Sequence, residues 1–288
     1  MLSLPSFSII TPSFRQLDWL RLAVASVADQ EGAITEHIIQ DAGTEGINKF
    51  FQSNIPANGG LHHVTLFVEK DAGMYDAVNR GLARARGDIC SYLNCDEQFL
   101  PAALARVASF FDARPDVDVL FGDAILIDSS GNPISYRRTV LPKLSHVRYV
   151  HLNTQSCSMF FRRTLLERGF FFDSDWRAIA DGVWVEQLLL SGIRMATIRE
   201  PLAVFTFTGQ NLGASSASLA EAASRRGLLS ISKQLVKVAA IIWLRIRKLF
   251  AGAYRFRNVE VDIYTVESPS LRQSRKARLG FSWPKRTW

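Results

Sequence analysis

Three cysteines in 288 residues, Cys90, Cys95 and Cys157, with no Cys-x-x-Cys pair, supply neither a disulfide framework nor a structural zinc site. So few thiols point to a reducing compartment. The chain lacks Gly-x-Ser-x-Gly, Walker A and Gly-x-Gly-x-x-Gly segments, which removes the common hydrolase, P-loop and dinucleotide-binding readings. The opening MLSLPSFSII has no basic start and no unbroken apolar core, so it reads as the first strand of a cytoplasmic protein and not as a signal peptide. No internal repeat is visible. What is present is ordinary for a globular protein: 48% hydrophobic and 21% charged residues exclude disorder throughout. The length suits one α/β domain of roughly 200 residues with an appendage.

The net charge of +7 is unevenly spread. Residues 1–224 carry 19 Lys and Arg against 24 Asp and Glu, whereas residues 225–288 carry 15 against 3, a local surplus of +12. A mildly acidic body thus bears a basic extension, and any anionic surface or polyphosphate belongs to the extension.

Residues 7–11 are rich in β-branched side chains and stop at Pro12, which predicts a buried strand. Apolar spacing at Leu20, Val24 and Val27 predicts a helix over 17–28. Strands follow at 36–40, 64–68 and 88–93, with helices at 74–85 and 101–111. Strands alternating with helices at this spacing imply a mostly parallel central sheet flanked by helices. Residues 119–134 read as a strand pair turning at Ser129–Asn132, 142–153 as a loop, 158–161 as a strand and 179–191 as a helix. The Gly/Ser-rich stretch 209–218 marks a boundary, which divides the chain into 1–214 and 215–288.

In such sheets ligands bind beyond the carboxyl ends of the strands. Three strand ends are polar here: Thr11-Pro12-Ser13, Asp41, and Asn94-Cys95-Asp96-Glu97. Asp96 after a buried strand suits a hard divalent cation, and equally a helix cap. Asp41 in a Gly-containing turn is explained by an Asx-turn alone. Asp71 precedes the helix on which Asp76 and Asn79 share a face. Asp181 opens the helix 179–191, where the helix dipole alone accommodates it. His151 fits a structural role better than a chemical one, and Cys95 and Cys157 have no histidine at an informative spacing.

The segments PSFSIITPSFRQ, EHIIQDAGTEG and VEKDAGMYDAVNRGLARARGDICSYLNCDE together resemble the nucleotide-sugar half of family 2 inverting glycosyltransferases. TQSCSMFFRR and IADGVWVEQLLLSG resemble the acceptor half, so the likeness covers about residues 5–213. It implies a GT-A, Rossmann-like fold acting on a nucleoside-diphosphate sugar. It implies that Thr11 and Pro12 lie against the nucleoside, that Asp41 bonds the base or ribose, and that Asp71 faces the nucleotide or sugar with Arg80 near the donor. Asn94-Cys95-Asp96 occupies the Asp-x-Asp position, with Asp96 on a Mn²⁺ or Mg²⁺ ion, and Asp181 falls at the position of the base; Glu186 and Asp175 are its alternatives. Two departures stand out: Asn94 replaces the first Asp, and the Asp41 turn is one residue shorter than the family's usual Asp-Gly-Ser-Thr-Asp-Gly.

On a helical wheel of 233–250, Leu235, Val238, Ala239, Ile242, Ile246 and Leu249 share a face, with Lys233, Lys237, Arg247 and Lys248 opposite and Leu244 and Arg245 as misfits. Only seven uncharged residues separate Lys237 from Arg245, against the ~20 that span a bilayer. The pattern is that of an interfacial helix. A helix packed on the body with a solvated basic face is the alternative. Residues 268–288, with Trp283 and Trp288, read as a mobile tail, and the whole extension as removable. The expectation is therefore a metal-dependent inverting transferase held peripherally on the inner face of the cell membrane by 225–288. Its acceptor is saccharide or lipid-linked, and its products are surface polysaccharide or glycolipid. A catalytically weak nucleotide-sugar-binding protein is the first alternative. A nucleic-acid-binding protein is the second, disfavoured by the acidic body.

Overall fold

A computed structural model describes residues 4–55, 60–209, 211, 216–226 and 231–281. The first half runs β1 (Ser6–Ser13), α1 (Leu17–Ala28), β2 (Ile34–Asp41), α2 (Ile47–Asn54), β3 (His62–Val68), α3 (Met74–Arg84), β4 (Ile89–Tyr92), β5 (Glu97–Phe99) and α4 (Ala103–Ala113). The second half runs β6 (Val119–Asp128), β7 (Pro133–Arg137), α5 (Leu144–Tyr149), β8 (Met159–Arg162), α6 (Thr164–Glu167), α7 (Ala180–Leu190) and β9 (Met195–Phe207). The extension holds α8 (Ser216–Arg226), α9 (Ile231–Phe250), β10 (Arg257–Ile263) and β11 (Gln273–Leu279).

The central sheet has the order β3-β2-β1-β4-β8-β6-β9-β5, with β7 on β6. The part β3-β2-β1-β4 is parallel throughout. Beyond β4 the sheet is mixed: β8 runs antiparallel to both its neighbours, while β6 and β9 are parallel. Both faces are covered, because alternate side chains of each strand point to opposite faces. On β1, Phe7 and Ile9 join α1 and α4 in one core cluster, and Ile10 joins Tyr75, Val78 and Leu82 of α3 and Trp184 of α7 in the other. Gly81 lets α3 lie against β1: a Cβ there would stand 2.5 Å from Ile10 Cγ2.

Three sequence expectations change. The loop expected over 142–153 contains α5, and α2, β5, α6, β9 and α8 were not anticipated. The tail expected to be mobile is, up to residue 281, part of an antiparallel hairpin, β10–β11, docked on the body. Val261, Ile263 and Leu279 pack with Leu100, Ile125, Tyr136 and Val204. Gln98 and the Tyr264 backbone exchange two hydrogen bonds of 2.9 Å, and the Arg272 guanidinium forks onto Asp29 at 2.5 and 2.8 Å. Trp283, Lys285, Arg286 and Trp288, and part of the 209–218 boundary, lie outside the described residues.

The wheel of α9 needs a correction as well. Lys248 is buried and Arg247 half-buried against His146, so the basic side of the helix is packed at its C-terminal end while Lys233 stays exposed; Leu244, the apparent misfit, is the centre of its packed stripe. Among the described residues no helix is long and apolar enough to cross a membrane.

Candidate active site

The order β2-β1-β4 reverses direction between β1 and β4, and a crevice opens where such a reversal occurs. A cleft of about 1000 Å³ lies there. Its wall includes Pro12 at the end of β1, Asp71 before α3, Asn94, Cys95 and Asp96 after β4, and Asp181 in the first turn of α7. Six of the nine residues singled out from the sequence thus meet, although Pro12 and Asp181 are far apart along the chain.

Thr11, Asp41 and Arg80 do not line the cleft. Thr11 is buried beneath it, its hydroxyl 2.8 Å from His37 Nε2. The Asp41 carboxylate is buried and fully engaged: Oδ1 accepts from the backbone of Gly43 (2.9 Å) and Thr44 (2.6 Å), and Oδ2 from the Thr44 hydroxyl (2.8 Å). It shapes the turn, as an Asx-turn aspartate does. Arg80 is ion-paired with Asp76 at 3.0 Å and Glu69 at 3.7 Å.

At the end of β4 the carboxylates of Asp96 and Glu97 lie side by side. Glu97 is fully buried and accepts from the Asn94 backbone N–H at 2.8 Å. Asp96 is half-buried; its Oδ2 accepts from Asn211 Nδ2 at 3.2 Å. Burial pushes both carboxyls above their ordinary range, and the neighbouring Asp96 charge pushes Glu97 further. Asn94 Oδ1 is buried with no hydrogen-bond partner. Hard oxygen donors with surplus negative charge and an unsatisfied carbonyl fit a divalent cation. Among the described residues, however, no group of three or more His, Cys, Asp or Glu gathers that could hold a metal by itself. The Cys95 thiol donates to the Pro12 carbonyl at 3.3 Å, and burial raises its pKa, so it is a packing residue in the floor and no nucleophile.

Asp181 sits deep in the opposite wall. Its Oδ1 accepts from the Gly182 N–H at 2.7 Å. Burial raises its carboxyl, while the Gly182 N–H and the Tyr75 hydroxyl hold it back. The loop before α7 is pinned from α8, where the Glu221 carboxylate accepts from the N–H groups of Arg177 (2.8 Å) and Ala178 (2.9 Å). Glu186 is bound by Arg148 at 2.6 Å and by Arg225, so its carboxylate is already taken. Asp175 is exposed and outside the cleft wall.

Asp71 lies at the mouth. Its Oδ1 accepts from Gly73 N–H at 3.0 Å, and burial raises its pKa. Gly73 there has φ +140°, a conformation that excludes most side chains.

Among the cleft residues not singled out as site residues from the sequence are Arg15, Tyr75 and Asn211. Tyr75 stood among the apolar residues of a helix face, which hid its hydroxyl. Arg15 carries a signal visible only in three dimensions, a non-glycine φ of +56°. Its N–H donates to Thr44 Oγ1 at 2.8 Å, which holds this strained cation at the rim.

The family described as Glycosyl transferase family 2 matches residues 8–170. An uncharacterized glycosyltransferase of Nostoc sp. is 28% identical over 233 residues, covering 77% of this chain and 71% of the relative. A PGL/p-HBAD biosynthesis glycosyltransferase of Mycobacterium tuberculosis is 33% identical over 127 residues, 42% of this chain and 48% of its own length. Among solved structures, the mannosyltransferase PcManGT of Pyrobaculum calidifontis, in complex with GDP-Man and Mn²⁺, superposes with a TM-score of 0.56 at 16% identity, covering 87% of this chain and 72% of that one. Staphylococcus aureus TarS 1–349 in complex with UDP superposes with a TM-score of 0.51 at 13% identity, covering 96% and 100%. These two establish the fold.

Proposed function

The chain belongs to glycosyl transferase family 2, and from that premise we propose that it is a divalent-cation-dependent, inverting transferase. In this reading a sugar passes from a nucleoside diphosphate to an acceptor hydroxyl. The observation that carries the reading is the placement of Asp96 and Asp181 on one cleft: a half-buried carboxylate beside the buried Glu97 at the strand ends, and a half-buried carboxylate of raised basicity at the start of α7.

Asp96, with Asn94 Oδ1, would hold a Mn²⁺ or Mg²⁺ ion whose remaining ligands are phosphate oxygens and water. When bound, such an ion neutralises charge developing on the leaving diphosphate. Pro12 and Arg15 border the place where the nucleotide enters, and Asp71 faces the donor. Thr11, Asp41 and Arg80 act from behind, by fixing the walls. Asp181 accepts the proton of the attacking hydroxyl as the new glycosidic bond forms on the face opposite the departing diphosphate. A carboxyl whose pKa is raised by burial is a stronger base than one in water. Tyr75 orients it, and the walls position the two substrates.

The neighbours support the donor class: PcManGT is seen with GDP-Man and Mn²⁺, and TarS with UDP and with UDP-GlcNAc. The relative named for PGL/p-HBAD biosynthesis supports a biosynthetic transferase, and in this proposal the acceptor is saccharide or lipid-linked and is met at the inner face of the cell membrane, with 225–288 as peripheral attachment. The division into 1–214 and 215–288 belongs to this proposal as one of tasks, transfer and attachment. Incubating the protein with a panel of nucleoside-diphosphate sugars, with Mn²⁺ or with EDTA, tests it. The expected result is cation-dependent release of nucleoside diphosphate and, by NMR, a product of inverted anomeric configuration. Binding without turnover of any donor in the presence of acceptors would instead favour the nucleotide-sugar-binding alternative.

A further inference from the structure

Helix α9 turns its apolar face away from the protein. It packs on the body, next to α5, through Lys237, Ala240, Ile241, Leu244, Arg247 and Lys248, with Leu244 only 3% exposed. On the opposite side Leu235, Ile242, Leu249 and Phe250 are 67, 54, 63 and 83% exposed, and Val238 and Ile246 share that surface. A surface helix of a soluble protein ordinarily does the reverse and hides its apolar stripe. A contiguous row of this length is an interaction surface rather than scattered exposure.

The chemistry beside this face is cationic. At the C-terminal end of α9 a shallow groove of about 560 Å³ is lined by Arg245, Ile246, Leu249, Tyr254 and Phe281. The Lys248 ammonium lies 4.9 Å from the centre of the Phe281 ring, and the Arg137 guanidinium 4.4 Å from the same ring. Among the described residues no carboxylate pairs with Lys248 or Arg245. Burial first, and then the charges of Arg137 and Arg245, push Lys248 down to about 8. The extension as a whole has a surplus of +12.

We propose that α9 seats the enzyme on an anionic phospholipid bilayer. The helix lies in the interface with Leu235, Ile242 and Leu249 among the acyl chains, and a lipid phosphate sits in the groove beside the exposed Arg245. An apolar row flanked by the exposed Arg245, in an extension with a surplus of +12, complements an anionic amphiphile. The inference deepens the peripheral attachment proposed above and rests on it for the location of the acceptor; it does not depend on the transfer chemistry.

Cosedimentation of the full chain with vesicles tests it, using phosphatidylcholine alone or with phosphatidylglycerol added. Binding is expected to the anionic vesicles, reduced at high salt by screening. The double change Ile242→Glu and Leu249→Glu should weaken it by about tenfold or more, and Arg245→Glu should remove the preference for anionic lipid. Both variants alter exposed positions, and an unchanged melting temperature and unchanged nucleotide binding by calorimetry confirm their fold. Vesicle binding that survives in both variants, or that is equal on neutral vesicles, overturns the proposal. So does a dimer in analytical ultracentrifugation that the double variant dissociates while the wild type ignores vesicles, which would give the face to a second copy. Intact vesicle binding without any nucleotide binding would defeat the transferase reading and leave this one standing.

Discussion

The backbone N–H of Asp181 donates to the Tyr75 hydroxyl at 3.4 Å, and that hydroxyl in turn bonds the Asp181 carboxylate. Tyr75 belongs to α3 and Asp181 to α7, so one phenol joins two helices distant along the chain at the proposed base.

This contact yields a prediction with a sign. The Tyr75 hydrogen bond stabilises the charged carboxylate and lowers its pKa against the rise caused by burial. Tyr75→Phe should therefore raise the Asp181 pKa and move the acidic limb of the pH–kcat profile to higher pH. Asp181→Asn should lower kcat by ~10²–10⁴. Donor affinity should hold in both. A kcat within a few-fold of wild type for Asp181→Asn would remove Asp181 from the role of base.

Asp96 and Asp41 should separate cleanly. Asp96→Ala is expected to abolish cation-dependent nucleotide binding in calorimetry while the melting temperature holds. Asp41→Ala leaves the two buried donors of Thr44 without an acceptor, at roughly 1–3 kcal/mol each when unsatisfied, and frees the N–H of the exposed Gly43. It should lower the melting temperature and leave the cation dependence of binding intact. The opposite pattern would put Asp41 on the ligand.

Acid should destabilise the fold through the histidines of the parallel edge. His37 is buried and held far below its ordinary pKa by desolvation, and His62, 6.0 Å away between ring centres, is pushed down to about 4 by burial and by His63. Both stay neutral in the fold and take a proton once unfolded. Below pH ~6.5 the unfolded chain binds more protons, so stability falls as pH drops from there toward 4. Urea midpoints between pH 7.5 and 4.5 should show this slope, and His62→Gln should flatten it. An equal slope in that variant would trace the acid loss to other groups.

The extension should not be removable as the sequence suggested. A chain ending at residue 224 would uncover Leu100, Ile125, Tyr136 and Val204, which β10 and β11 bury, and would leave Gln98 without its Tyr264 partner. Loss of several buried aliphatic contacts costs about 2–5 kcal/mol for each large side chain exposed. We expect this truncation to aggregate or melt at markedly lower temperature by differential scanning calorimetry, even though the proposed donor site precedes it. A soluble truncation with an unchanged melting temperature would contradict the packing.

Much of this was written locally. Up to residue 113 the strands and helices other than α2 and β5, the turn at 129–132, and the helices α7 and α9 follow from apolar spacing and turn residues a few positions apart, which act wherever the chain goes. The hairpin was legible too: Val259, Val261 and Ile263 alternate with Asn258, Glu260 and Asp262, but the surrounding Arg and Lys residues masked a period of two. Periodicity marks which face of an element is apolar and is silent about what covers it. That Asp41 turns inward to its own loop while Asp96 opens to the cleft, that Tyr75 reaches Asp181 across 106 positions, and that α9 buries Leu244 and Lys248 while exposing Leu235 and Ile242, were decided only by tertiary packing. The physical reason is that burial and partnership are properties of the assembled surfaces, set by which elements meet, and not of any residue's neighbours along the chain.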